Sequence, residues 1–180
     1  MGSYNYSYLM EYVPVRFHAT MTQEEDRRTV YNFKDGHSSD YVLNKMVACV
    51  KEIKDKVLGE RTRVCFIPAS TSFKTIQRYK ELSARIERET GCPCSINTII
   101  KQTDEESGHI AGKKLNPAAD FDINKSDIAG MNIILIDDVI TRGRTFCFTA
   151  DKLINNGAKQ VYGLFLAKTI HPCENTRHIA

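Results

Sequence analysis

Residues 133–146 read IILIDDVITRGRTF, an apolar run followed by two acids and by a short loop of small and basic residues. Four consecutive aliphatic residues without alternation are typical of a strand that is buried on both faces. Such strands belong to parallel sheets with helices on each side, and the ligands of these sheets bind in the loops after the strands. The segment therefore predicts both a fold class and the place of a ligand.

The loop TRGRT within this segment has the composition of a phosphate site. Gly143 permits backbone angles that other residues avoid, and Thr141 and Thr145 supply hydroxyl donors. The loop runs into a predicted helix, whose first N–H groups and positive dipole end would face a bound anion. Arg142 and Arg144 either strengthen anion binding or point to solvent.

Two adjacent acids, Asp137 and Asp138, precede this loop. Two carboxylates would repel a bare phosphate, so they fit only beside a group that donates hydrogen bonds or carries positive charge. Ribose hydroxyls and hydrated Mg²⁺ both meet that requirement. The sequence therefore predicts a site for a ribose 5-phosphate.

On both sides of this segment, apolar patterns predict alternating helices and strands. Residues 39–57 repeat apolar side chains at helical spacing, with Ser39 or Asp40 as the N-cap and Gly59 as the stop. The other predicted elements are a strand at 64–67, a helix ending at Gly91, a strand at 95–100, a helix from about 145 to 156 and a strand at 161–166. This order indicates an α/β fold, doubly wound, with a mostly parallel sheet and helices on both faces.

The first 38 residues differ in composition from the rest of the chain, because aromatic side chains are interspersed with polar ones there. We interpret residues 1–38 as a small N-terminal hood element. Residues 39–180 form the α/β core, and the length of 180 residues favours a single domain.

Residues 132–145 resemble the diphosphate-sugar signature of the type I phosphoribosyltransferases: a hydrophobic strand, paired acids and a Thr- and Gly-rich phosphate loop. The order of elements is similar to that family from about residue 39 to residue 168. The resemblance implies that Asp137 and Asp138 lie by the ribose hydroxyls and take part in catalysis. It also implies that residues 141–145 hold the 5-phosphate, and that Mg²⁺ reaches the protein through the substrate or through water. Arg142 departs from the family, which more often has a small Thr or Ser there.

A second loop with small hydroxyl residues, 67–72, follows the strand at 64–67 and enters a helix. The resemblance places the family's pyrophosphate-binding loop here, with the residues Ala69, Ser70, Thr71, Ser72 and Lys74. Lys74 and Arg78 are four residues apart and share a helix face. An equally weighted alternative is that Ser70 or Ser72 is only an N-cap and that the basic side chains are solvated.

Residues 101–130 form a long, charged connection with several glycines, which is typical of a lid or of a disordered segment. Its place in the chain corresponds to the family's flexible catalytic loop, and by that resemblance His109 and Lys113 are candidate catalytic residues. A residue of this kind, taken singly, is more often an exposed side chain than a catalyst.

The resemblance implies a transferase activity. A nitrogen acceptor, a nucleobase or related amine, would displace pyrophosphate from phosphoribosyl diphosphate, with Mg²⁺ as cofactor and a homodimer as the assembly. The N-terminal residues would bind the acceptor and determine which acceptor is used. Two alternatives stay open: a regulatory protein that senses the diphosphate sugar or a nucleotide without turnover, and a relative that hydrolyses or synthesises a diphosphate sugar.

A receiver domain, which also pairs acids after a strand, fits the sequence poorly. Its acid pair follows its first strand, whereas the pair here follows the third predicted core strand.

The composition narrows the classes of protein further. A formal charge of +3 without a basic stripe makes nucleic acid an unexpected partner, and no apolar run approaches a membrane span. The start MGSYNYSY lacks the features of a secretory leader, and six scattered cysteines are typical of reduced thiols. Cys92 and Cys94 lack partners at zinc-ligand spacing. A cytoplasmic protein is expected.

Overall fold

Seven strands and five helices are present in residues 2–102 and 116–171, the part of the chain that the computed structural model describes. The strands are β1 (Tyr6–Tyr12), β2 (Thr62–Phe66), β3 (Cys94–Ser95), β4 (Ile99–Lys101), β5 (Phe121–Ile123), β6 (Asn132–Ile140) and β7 (Gln160–Thr169). The helices are α1 (Met21–Lys34), α2 (Asp40–Ile53), α3 (Ser72–Thr90), α4 (Lys125–Ile128) and α5 (Arg144–Asn155), and α2 continues into a π-helical turn, Lys54–Leu58.

Five of these strands form one sheet in the order β1-β7-β6-β2-β3, and every neighbouring pair is parallel. The other two, β4 and β5, form a separate antiparallel pair. The predicted α/β class with a parallel sheet is confirmed. Because the five strands run in the same direction, the loops after β1, β2, β6 and β7 all open at one edge of the sheet.

The central strand β6 explains why its sequence is apolar without alternation. Ile134 and Ile136 pack in a core with α1, α2 and α3, whereas Ile133 and Leu135 pack in a second core with α5. All four side chains are fully buried. Helices therefore cover both faces of the sheet, as predicted.

The helix ends follow the local signals in the sequence. The Ser39 hydroxyl accepts the Val42 amide at the start of α2, as one of the two predicted caps. Gly59 and Gly91 have φ angles of 80° and 63°, and they end the π-helical turn and α3. These left-handed angles favour glycine.

Two predictions for the middle of the chain differ from the structure. The strand expected at 95–100 is divided, because a turn at Ile96 and Asn97 sends β3 to the main sheet and β4 to the small one. The connection expected at 101–130 contains β5 and α4. Elements of three or four residues are too short to show a periodic pattern.

The hydrophobic face of α3 does not include all of its large apolar side chains. Phe73 and Ile76 are both exposed. The buried face consists of Thr75, Tyr79, Leu82 and Ile86.

The N-terminal residues 1–38, expected to be an appended hood, contribute to the main sheet and its core. β1 pairs with β7 along its length, and Val30 and Phe33 of α1 are buried in the core that α2 and α3 share. The polar residues of β1 belong to a partly exposed edge strand, which obscures its pattern. The loop at 13–20 that follows β1 lies at the same edge of the sheet as the phosphate loop.

Candidate functional site

The loop between β6 and α5 brings a helix start to the carboxyl edge of the sheet. Gly143 has a left-handed φ of 68° and is the N-cap residue of α5. The first bond of the helix runs from the Cys147 amide to the Gly143 carbonyl at 2.8 Å. The amides before Cys147 precede that ladder, so they are the donors that a helix start offers to an anion.

A cavity of about 270 Å³ lies over this helix start. Its lining contains the whole predicted phosphate segment, Thr141 to Thr145, together with Asp137 and the rings of Phe146 and Phe165. On the rim, the Thr141 and Thr169 hydroxyls are 2.8 Å apart and hydrogen-bonded, which ties the loop to the end of β7. The predicted phosphate residues and one of the two predicted acids therefore share one cavity.

Asp137 is held by two donors at the end of the buried part of β6. Its Oδ1 accepts the Asp138 amide at 2.8 Å and the Tyr79 hydroxyl at 3.3 Å. Burial, followed by the charge of Asp138, raises the pKa of Asp137 to about 8. Burial also raises the pKa of Tyr79, so that hydroxyl remains a donor.

Asp138 has a different environment from Asp137. Its Oδ2 accepts from Arg78 Nη1 at 2.5 Å and lies 4.0 Å from Lys34 Nζ, while its Oδ1 accepts the Val139 amide at 2.6 Å. Asp138 does not line the cavity of the phosphate loop. The strand was expected to end near Ile136, but it continues through both acids to Ile140.

In the loop between β2 and α3, the residue that caps the helix is Thr71. Its hydroxyl accepts the Lys74 amide, and its carbonyl accepts the Thr75 hydroxyl. The Ala69 amide donates to the Thr75 hydroxyl at 2.9 Å. The alternative in which Ser70 or Ser72 is the N-cap is wrong, because the N-cap residue of α3 is Thr71. Several polar groups of this loop are therefore engaged in local structure.

Three residues near the site were not identified from the sequence. Lys34 comes from the end of α1, Tyr79 from a buried position in α3, and Lys101 from the end of β4, where its Nζ is 3.4 Å from the Ser70 carbonyl. Each reaches the site through tertiary packing, so no local pattern marks it. The candidate catalytic residues His109 and Lys113 lie outside the described residues.

The two acids are better placed to contact a cation indirectly, through a ligand or through water, than to bind it directly. Oδ1 of each acid accepts a main-chain amide, and Arg78 occupies Oδ2 of Asp138. Within residues 2–102 and 116–171, no three His, Cys, Asp or Glu side chains come together as a metal site. The Cys92 and Cys94 thiols donate to the carbonyls of Thr62 and Cys92.

A second cavity, of about 600 Å³, lies beside the loop after β1. Its lining is aromatic and basic: Val15, Phe17, His18, Ala19, Glu24, Arg27, Arg28 and Tyr31. Buried Arg27 holds this loop by donating to the carbonyls of Val13, Pro14 and Phe17. The Phe17 ring meets the His171 ring edge-on, with centroids 5.6 Å apart.

The second cavity lies on the Asp138 side of the acid pair. Tyr31 of its lining hydrogen-bonds with Tyr12, and Lys34, one turn further along α1, is the cation near Asp138. Burial, then the hydrogen bond with Tyr31, raises the pKa of Tyr12 to about 12, and the charge of Asp138 adds to the rise. Lys34 thus links the helix that lines this cavity to Asp138.

No helix among the described residues is long and apolar enough for a membrane span.

No family model matches the sequence. Over 80 residues the chain is 32% identical to a ribose-phosphate pyrophosphokinase from Aeropyrum pernix, and the match covers 44% of this chain. It covers 23% of that protein, so the chain matches about a quarter of the length of this curated relative.

The solved structures that are similar to the chain include the following two. A hypoxanthine-guanine phosphoribosyltransferase from Bacillus anthracis strain 'Ames Ancestor' has a TM-score of 0.45 and 20% identity, covering 79% of this chain and 74% of that one. The allosteric regulatory enzyme of purine biosynthesis has a TM-score of 0.44 and 20% identity, covering 74% of this chain and 25% of that one.

Proposed function

We propose that this protein binds phosphoribosyl diphosphate and transfers its ribose 5-phosphate to a nitrogen acceptor, releasing pyrophosphate. The observation that carries the proposal is the cavity that unites Asp137 with all of Thr141 to Thr145 over the start of α5. A helix start favours a phosphate, and an acid beside it favours the hydroxyls of the sugar that carries that phosphate.

In this reaction the 5-phosphate binds the amides and hydroxyls of the loop after β6. The nitrogen lone pair forms a bond to C1 of the sugar as the C1–O bond breaks, and pyrophosphate leaves with the electron pair. The chain's task is to fix the sugar and to keep water away from an electron-poor C1. Asp137 orients the sugar, and Phe146 and Phe165 make the floor of the cavity apolar.

The leaving pyrophosphate needs positive charge around it. The loop at 67–72 is the proposed place, because it opens at the same edge of the sheet as the phosphate loop. The Lys101 Nζ contacts this loop at the Ser70 carbonyl, and Lys74 lies beside the loop in the first turn of α3. Mg²⁺, held by the diphosphate and by water, supplies further neutralisation when it is bound. His109 and Lys113 remain the proposed residues of the catalytic loop.

The acceptor is proposed to bind in the cavity beside the loop after β1. This cavity offers the rings of Phe17 and Tyr31, and it lies next to the acid pair. Aromatic rings suit a flat base, which they contact by stacking or edge-on. Arg28 and His18 add polar groups that can distinguish one acceptor from another.

The decisive experiment mixes the protein with Mg²⁺, phosphoribosyl diphosphate and a panel of nucleobases and amines, and measures pyrophosphate release. Release that depends on one acceptor supports the transferase. Tight binding without release for any acceptor supports the sensor instead. A parallel reaction with ribose 5-phosphate and ATP tests the synthesis of a diphosphate sugar.

Two variants test the site itself. Replacing both Asp137 and Asp138 with Asn, or Thr145 with Glu, should abolish binding of phosphoribosyl diphosphate, because the first replaces one acceptor oxygen of each acid with an amide NH2 that cannot accept from the sugar, and the second places a negative charge in the phosphate loop. Calorimetric titration measures the affinity, and circular dichroism confirms the fold. Wild-type affinity in these variants would refute the site.

A further inference from the structure

Arg78 connects helix α3 to the acid pair and to the end of α1. Its side chain is only 11% exposed. Nη1 donates to Asp138 Oδ2 at 2.5 Å, and Nε donates to the Lys34 carbonyl at 3.3 Å. The guanidinium is therefore fixed at two points, and a rigid donor of this kind fixes the direction of the carboxylate that it binds.

These contacts turn Asp138 away from the cavity of the phosphate loop. Both of its oxygens have donors, with the Val139 amide on Oδ1 and Arg78 on Oδ2. Lys34 Nζ lies 4.0 Å from Oδ2. Asp137 instead lines the cavity, and the Asp138 amide and the Tyr79 hydroxyl both donate to its Oδ1. The two neighbouring acids are thus given unequal positions.

Resting on the proposed function, we propose that Arg78 is a positioning residue for sugar recognition, which holds Asp138 outside the cavity so that Asp137 alone meets the sugar hydroxyls. Without Arg78, Asp138 would lose its strongest charge partner. Its side chain could then adopt other rotamers beside Asp137, and Asp137 would no longer be the only acid at the cavity. The charge of Arg78 also opposes the rise in the pKa of Asp137.

The test compares three ligands that differ only in the sugar: ribose 5-phosphate, 2-deoxyribose 5-phosphate and inorganic phosphate. Calorimetry gives their affinities for the wild type, for Arg78→Gln and for Arg78→Lys. We expect the wild type to bind ribose 5-phosphate about tenfold more tightly than 2-deoxyribose 5-phosphate. This is the effect of one hydrogen bond between the 2-hydroxyl and the Asp137 carboxyl group. Arg78→Gln should reduce this preference to about twofold or less while binding inorganic phosphate nearly as before, and Arg78→Lys should restore part of it.

Arg85→Gln is the matched control. Arg85 lies on the same helix and pairs with Asp40 and Glu81 on the surface, away from the acid pair. It should leave the preference unchanged. An unchanged preference in Arg78→Gln, or an equal loss for all three ligands, would overturn the inference, because the first shows no effect and the second shows only a general effect of charge.

Single variants of the acids test the same inference without altering Arg78. Asp137→Asn should lose the preference for ribose, because the Asp138 amide and the Tyr79 hydroxyl engage one oxygen and the amide NH2 that replaces the other cannot accept from the sugar. Asp138→Asn should keep the preference, because its amide oxygen still accepts from Arg78. Equal losses in the two variants would overturn the inference. A wild type that binds none of the ligands, or binds them without preference, would instead refute the proposed sugar site, on which this inference depends.

Discussion

Asp137 and Asp138 are adjacent in sequence, yet they have different partners. Tyr79 and the Asp138 amide bind Asp137, whereas Arg78 and Lys34 compensate Asp138. Burial makes Asp137 costly to ionise. At the scale of single residues, the motif identifies the acids but not their division of roles.

The raised pKa of Asp137 makes the stability of the protein depend on pH. Because the folded protein holds this proton up to about pH 8 and the unfolded chain releases it near 3.8, the stabilisation is fully present below about pH 4 and is lost as the pH rises through 8. Asp137→Asn removes this loss. The variant should therefore gain stability relative to the wild type between pH 5 and pH 8.5, by about 1 kcal/mol or more.

Urea denaturation at the two pH values measures this difference. Asp55→Asn, a change of an exposed acid in the π-helical turn, is the control and should show no such gain. A constant difference between Asp137→Asn and the wild type at both pH values would contradict the account.

At the scale of elements, local signals predicted those parts whose structure is determined locally. The apolar run of β6, the cap at Ser39 and the stop at Gly91 lie where the sequence placed them. Elements that depend on distant partners were missed. β4 is paired only with β5, more than twenty residues further on, and Lys34 reaches Asp138 only because α1 packs beside the sheet.

The loop between β6 and α5 depends on the backbone of Gly143. A methyl group added there meets the Ile140 side chain, with Cδ1 at 3.6 Å and Cγ1 at 4.0 Å, so space is available, but the φ of 68° is strained for any other residue. Gly143→Ala should cost about 1 kcal/mol of stability and should also displace the loop, weakening binding of inorganic phosphate at least several-fold.

Gly91→Ala is the matched control, because Gly91 has the same left-handed conformation, with a φ of 63° and open space around an added Cβ, and it lies at the end of α3, outside the phosphate loop. It should lose similar stability, measured by thermal unfolding, and keep its affinity for phosphate. A Gly143→Ala protein that binds phosphate like the wild type would show that the loop geometry does not matter for binding.

At the scale of the whole molecule, the parallel arrangement of β1 with β7 brings the N-terminal loop to the edge where the phosphate loop lies. The sequence identified residues 1–38 as distinct in texture, but it did not reveal that β1 completes the sheet. That pairing joins residues about 157 positions apart, such as Tyr6 with Gly163. No local pattern records such a distance, so the second cavity could be found only in the structure.

Buried Arg27 is the residue that gives the N-terminal loop its shape. Arg27→Met would leave three main-chain carbonyls without their donor and should lower the free energy of unfolding by about 2 kcal/mol. If the acceptor binds beside this loop, acceptor-dependent pyrophosphate release should fall more than affinity for phosphoribosyl diphosphate. Arg88→Met, a change on the exposed surface of α3, is the control. An equal fall in release and in affinity would argue against the acceptor site.

The binding place of the sugar phosphate can be found from the changes in amide NMR shifts upon addition of phosphoribosyl diphosphate with Mg²⁺. The largest changes should fall on the amides of Thr141 to Thr145 and of Asp137 and Asp138, and Thr145→Glu should abolish them. Changes confined to residues outside the loop between β6 and α5, or no changes at saturating ligand, would contradict this binding place.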